Sequence, residues 1–115
     1  MIPRETPGMA DESRVAALKQ ILETKPDDAF ALYALGMEYS GAGETDAALA
    51  EFRRLLAAHP DYTNGYFMAA QTLVRADRTK EARTMLQQGI DCARRTRNQH
   101  AQAEMEGMLE ELDRG

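Results

Sequence analysis

The sequence predicts an all-α protein: a right-handed solenoid of antiparallel helix pairs, with about six helices in a single domain. The first observation behind this is self-similarity at a spacing of 34 residues. Pro26-Asp27 returns as Pro60-Asp61, Tyr33 as Phe67, Thr45 as Thr79, Ala48 as Ala82, Phe52 as Leu86 and Leu56 as Ile90. A period of that length belongs to helix–turn–helix units that bury their apolar faces only by stacking on a neighbour. The second is that apolar residues between the turn signals recur every three or four positions, the helical period. The third is composition: alanine is abundant, Trp is absent and only 6% of residues are aromatic, which suits helices that pack closely.

Taken in chain order, residues 1–8 combine charges with two prolines and are expected to form a flexible tail ahead of a domain at 9–113. A helix over 11–24 carries Val15, Leu18, Ile21 and Leu22 along one side. Pro26 ends that element, and Asp27 is the expected N-cap of a second helix, from Asp28 to Tyr39, with Leu32, Leu35, Gly36 and Tyr39. Gly41-Ala42-Gly43 reads as a turn. Thr45 is placed to cap the next helix, to Ala58, whose apolar face is Ala48, Leu49, Phe52, Leu55 and Leu56. Pro60 stops it, because its ring excludes helical continuation and restricts the residue before it. The scheme then repeats: a helix from about Tyr62 to Arg75, and one from about Lys80 to Arg95 capped by Thr79. A last helix over 98–113 shows Ala101, Met105, Met108, Leu109 and Leu112 on one side. The repeats are thus expected at about 29–62 and 63–96.

Composition narrows the function classes. With 115 residues the chain buries roughly two-thirds of its unfolded surface, enough for one continuous core. Its formal net charge is −5, so it is not built to track a phosphate backbone, which is held chiefly by Lys and Arg. An anionic membrane leaflet would repel it as well. No apolar run approaches the roughly 18 residues of a membrane span, and the first residues lack the apolar stretch of a signal peptide. Cys92 is the lone cysteine, so no intrachain disulfide forms; the expected location is the cytoplasm.

Residues Ala29 to Pro60 resemble one tetratricopeptide repeat. Leu32, Leu35-Gly36, Tyr39, Ala48, Phe52 and Pro60 match the family pattern in type and spacing, and Leu55 departs from it, standing where the family has Ala. The second repeat keeps Tyr66, Ala82 and Leu86 but has Ala69-Ala70 for Leu-Gly, Leu73 for the aromatic and Arg94 where proline is expected, so its second helix is expected to run on. The first helix resembles the back half of a degenerate earlier repeat, and the last helix the front half of a later one, serving as a cap. The resemblance implies close helix approach at Gly36 and Ala48. It also implies a concave groove, lined by the first helices of the repeats, that holds a protein or peptide. Carried onto this chain, the groove positions are Phe30, Tyr33, Met37 and Ser40, then Asn64, Phe67, Gln71 and Val74, with Asn98, Ala101 and Met105 continuing the wall. The places of the carboxylate clamp found in chaperone-tail-binding repeats hold Tyr33, Met37, Phe67 and Gln71, so tight binding of acidic C-terminal tails is not expected.

The residues point to the same surface without the resemblance. From Ala29 to Tyr39 only Glu38 is charged, and Phe30, Tyr33 and Met37 form a second apolar stripe that Phe67 extends. An apolar stripe of this kind marks an interaction site, is covered by the protein's own last helix, or joins two copies of the chain; monomer and homodimer both stay open. No catalytic constellation appears. His59 precedes a proline at a helix end, where its ring can meet free carbonyls, and His100 reads as a solvated side chain. Cys92 reads as a small packing residue without a histidine base beside it. Neither metal-ligand spacing nor a phosphate loop is present, so no metal and no cofactor is implied. The expected role is a binding adaptor or scaffold, with a self-associating structural module as the alternative and enzyme activity not expected.

Overall fold

A computed structural model describes residues 10–115. The tail predicted at residues 1–8 lies outside the described residues. The chain forms six helices: α1 Glu12–Thr24, α2 Ala29–Gly41, α3 Thr45–Ala58, α4 Thr63–Arg75, α5 Thr79–Arg95 and α6 Gln99–Arg114. Among the described residues there is no strand. Each helix packs on the next, most closely α2 on α3 and α4 on α5, in an all-α solenoid. α2 and α4 also touch, as do α4 and α6, so these three helices line one face and α1, α3 and α5 the other.

Two kinds of turn build this alternation. After α1 and α3 the chain makes a proline turn, Lys25-Pro26-Asp27-Asp28 and His59-Pro60-Asp61-Tyr62, closed by backbone hydrogen bonds from Asp28 to Lys25 (3.1 Å) and from Tyr62 to His59 (3.0 Å). After α2, α4 and α5 one residue adopts left-handed geometry: Gly43 (φ 77°), Asp77 (φ 62°) and Arg97 (φ 58°). The next amide then reaches back five residues: Glu44 to Tyr39 (2.9 Å), Arg78 to Leu73 (2.9 Å) and Asn98 to Ala93 (2.8 Å). This closure satisfies carbonyls that a helix end leaves free.

The helix starts correct three expectations. The cap of α2 is Asp28, whose carboxylate accepts from the Ala31 amide at 2.9 Å, while Asp27 stays in the proline turn. Thr45 and Thr79 are the first residues of their helices, not their caps; the capping positions are Glu44 and Arg78, neither with a side-chain cap bond. The left-handed residue fixes where the helix can begin, and the capping position falls immediately after it. α5 does run on. Ala58, where α3 ends, projects by the 34-residue period onto Cys92, and α5 continues to Arg95.

The core runs along the stack. Leu32, Leu49, Phe52, Leu55, Leu73, Leu86 and Met105 are fully buried in one continuous cluster. Each such side chain stabilises the fold by about 1.5–3 kcal/mol relative to exposure. A smaller cluster of Leu18, Ala31 and Leu35 seats α1 against α2. Within the first repeat, a Cβ on Gly36 would meet the Phe52 ring before anything else, so the close approach inferred at Gly36 is filled by Phe52. Between repeats, Gly65 leaves room for Leu55 and Leu56, whose Cδ2 atoms would both lie 3.0 Å from a Cβ there. At the last junction Gly89 admits Met105. Ion pairs tie the outer ends together. Arg78 bonds Asp46 (2.6 Å) and Glu81 (2.7 and 3.0 Å), and Arg83 bonds Asp113 (2.8 Å). No described helix is long and apolar enough to cross a membrane.

Candidate functional site: the face of α2 and α4

Spacings of three and four residues put Phe30, Tyr33 and Met37 on one side of α2. The same spacing puts Asn64, Phe67 and Gln71 on the corresponding side of α4. The two stripes are joined at one end by a hydrogen bond, Asn64 Nδ2 donating to Tyr33 Oη at 2.7 Å. The Tyr33 ring lies 5.5 Å from that of Tyr62 and 6.3 Å from that of Phe52. Burial, and then the neighbouring Tyr62, push the Tyr33 phenol above its usual range, so it stays a neutral hydroxyl.

The other end is joined by a polar chain. Ser40 Oγ and Thr72 Oγ1 are 2.7 Å apart and buried. Thr72 donates its hydroxyl proton to the Met68 carbonyl at 2.7 Å, so Ser40 is the donor to Thr72. Ser40 in turn accepts from Arg75 Nη2 at 2.7 Å. Every hydroxyl in the chain is satisfied, as buried polar groups require. Sequence reading placed Ser40 on the groove, but missed Thr72 and the link that joins Ser40 to Thr72 and Arg75. The available signal was a lone hydroxyl at Thr72 on the otherwise apolar face of α4.

Exposure divides the predicted residues. Phe30 is 65% exposed, the one large apolar side chain so exposed among the described residues. Tyr33, Met37, Phe67 and Val74 are half-buried with one edge against the core, Gln71 is half-buried and Asn64 is exposed. Ala101 is half-buried against the core from α6. Met105 leaves the predicted wall. It is fully buried, because Gly89 presents no side chain and the Met105 thioether occupies the space there. α5 runs past the 34-residue register and turns at Arg97, so the repeat period no longer projects onto α6.

The reactive residues are all accounted for structurally. The His59 ring bonds the Asp27 carbonyl at 2.6 Å, tying the two proline turns together in place of capping its own helix. Cys92 is buried with its sulfur 3.3 Å from Thr63 Oγ1. His100 is exposed, 3.7 Å from Glu104. Among the described residues no group of three or more His, Cys, Asp or Glu is placed to hold a metal. On the opposite side, Arg53, Tyr66, Met85, Gln88, Asp91 and Arg95 border an open cleft of about 470 Å³ between α3 and α5. Its cations are already paired, Arg95 with Asp61 at 2.8 Å and Arg53 with Glu81 at 3.7 Å.

Comparison with known proteins agrees with the fold. The family model for the tetratricopeptide repeat matches residues 39–105. A TPR repeat-containing protein of Pseudomonas aeruginosa is 27% identical over 100 residues, covering 87% of this chain and 95% of that protein. The solution structure of a tetratricopeptide repeat domain protein from Salinibacter ruber is similar with a TM-score of 0.69 at 32% identity, covering 76% of this chain and 88% of that one. The solution structure of a protein from Bordetella parapertussis is similar with a TM-score of 0.75 at 25% identity, covering 87% of each chain.

Proposed function

Because the chain belongs to the tetratricopeptide-repeat family, whose fold is generally a protein–protein interaction module, we propose that it holds a protein or peptide partner on the face of α2 and α4. The role is that of an adaptor or scaffold and involves no chemistry. The observation that carries this reading is Phe30. A phenyl ring left 65% exposed at the head of an otherwise packed stripe gains about 1–2 kcal/mol on being covered. Tyr33, Asn64, Phe67 and Gln71 beside it supply half-buried apolar edges and polar groups, the mixture an interface needs. A formal net charge of −5 argues against nucleic acid or an anionic membrane as partner. The compartment that fits is the cytoplasm, where a lone thiol stays reduced.

The same exposed ring supports one other reading, a homodimer through this face. Light scattering coupled to size-exclusion chromatography, on the native chain and a Phe30→Ser/Phe67→Ala variant of equal helicity, separates the two. The partner reading expects both proteins to be monomers, and proteins cross-linked to the native chain to be absent from the variant. A native dimer that the variant breaks replaces it with self-association. Identical cross-linked proteins from both would refute the placement on this face.

A further inference from the structure

The stripes on α2 and α4 continue at the same spacing by one residue each, to Gly41 and Arg75. Gly41 has no side chain, and nothing lies within 4 Å of where its Cβ would be. Arg75 reaches the end of α2 and donates to Ser40 Oγ at 2.7 Å. That hydroxyl is neutral, and among the described residues Arg75 has no carboxylate within ion-pair distance. Arg14, Arg53, Arg54, Arg78, Arg83, Arg94, Arg95 and Arg114 all have one, whereas Arg97, Lys19, Lys25 and Lys80, which like Arg75 have none among the described residues, lie off the two stripes. The remaining stripe residues carry no formal charge. Glu38, the acidic residue beside them, is engaged by the Arg14 guanidinium (3.0 Å) and the Asp11 amide (2.9 Å). Phe30 and Arg75 thus mark the two ends of a neutral face, one with an uncovered phenyl ring and the other with a positioned, uncompensated cation.

We propose that this face selects an extended partner segment bearing one Glu or Asp side chain on Arg75 and one bulky apolar side chain on Phe30. This rests on the partner reading above and specifies the partner's chemistry. The geometry also sets a spacing. Arg75 is held at Ser40, ten residues beyond Phe30 on α2. At 1.5 Å per helical residue the two anchors are about 15 Å apart. An extended peptide advances about 3.3 Å per residue, so its acidic and apolar residues should be about four or five positions apart. Arg75 uses one nitrogen on Ser40 and keeps the rest of its fork for a carboxylate. A single cation of this kind recognises a side chain within a segment and does not amount to the several-residue clamp that a terminal carboxylate requires.

The test is selection from a random-peptide display library against the full native chain, followed by fluorescence anisotropy on the enriched peptides with native, Arg75→Glu and Phe30→Ser proteins. Circular dichroism checks that the variants fold; both positions are exposed. The expected result is enrichment of an acid and a bulky apolar residue four or five positions apart. Replacing the acid by Gln should weaken binding to the native chain about fivefold, the upper range for an exposed ion pair. An acid-to-Lys peptide should regain affinity for Arg75→Glu. If enriched peptides lose affinity with Phe30→Ser but are indifferent to Arg75→Glu, the Arg75 assignment is overturned and the partner face stands. If neither variant affects binding, or no peptide is enriched, the partner face falls and this proposal with it.

Discussion

Alanine in place of glycine should have opposite effects at Gly36 and Gly107, although both glycines lie inside helices. Ala has the higher helix propensity, by about 1 kcal/mol. At Gly107 nothing lies within 4 Å of the new methyl group, so that gain should appear undiminished. At Gly36 three carbon atoms of the Phe52 ring occupy the methyl's place. Phe52 is rigid and fully buried, so relief requires the core to open. Overpacking of this kind costs about 1–3 kcal/mol, and a clash with a buried ring belongs at the upper end. The net effect at Gly36 is a loss of about 2 kcal/mol against a gain of about 1 kcal/mol at Gly107. At roughly 4 °C per kcal/mol for a chain of this size, Tm falls by about 8 °C in one variant and rises by about 4 °C in the other. The second repeat supplies the control. The counterparts of Gly36 and Phe52 are Ala70 and Leu86, both fully buried without a clash. The double variant Gly36→Ala/Phe52→Leu copies that pair and should be more stable than the sum of its single changes, by at least 1 kcal/mol of coupling. Urea unfolding followed by far-ultraviolet circular dichroism measures the native chain, the single variants Gly36→Ala, Phe52→Leu and Gly107→Ala, and the double variant. A Gly36→Ala protein as stable as the native chain would refute the reasoning, because Phe52 would then have yielded at no cost.

Met105→Ala removes a fully buried thioether from the α5–α6 seam and should cost about 2–5 kcal/mol, read from the same urea curves. Cys92 should react with a thiol reagent only at the rate of unfolding, so its labelling should accelerate in urea in step with the loss of helicity. The Glu81 carboxyl is held below its usual 4.5, first by its hydrogen bonds from Arg78. A depressed folded value means that the stabilisation is present above pH 4.5 and is lost as pH falls through the folded value. Arg78→Gln should therefore shrink the stability difference between neutral and acidic pH; an unchanged difference would show that the pair does not contribute.

The helix pairs were legible because apolar spacing and proline turns are local signals written twice at one period. Gly36, Phe52 and Leu32 could be placed from the sequence for that reason. The helix starts were less legible. Thr45 and Thr79 looked like caps by residue type, but a left-handed backbone at Gly43 and Asp77 decides where the next helix begins, and Asp77 does not announce that geometry. Met105 was misplaced because the period was extended across a junction that does not obey it. The missing proline at Arg94 did signal the longer α5, but its effect on the orientation of α6 depends on Gly89, which local pattern does not connect to α6. The link from Arg75 through Ser40 to Thr72 joins residues more than thirty positions apart. It becomes visible only once α2 and α4 lie side by side.

The separate seating of α1 makes the two ends of the stack mechanically unequal. Each end helix has an ion pair to its neighbour, Arg14 on Glu38 for α1 and Arg83 on Asp113 for α6, but α1 rests chiefly on the small cluster of Leu18, Ala31 and Leu35, whereas α6 inserts the fully buried Met105 into the main core. In a linear array each unit is steadied only by its neighbours, so the weaker seam yields first. Tension on the chain, or thermal fraying, should therefore enter from the α1 side and travel inward. The molecule has a peeling direction, and the helix that peels first is the one whose departure leaves α2, α3, α4, α5 and α6 in register.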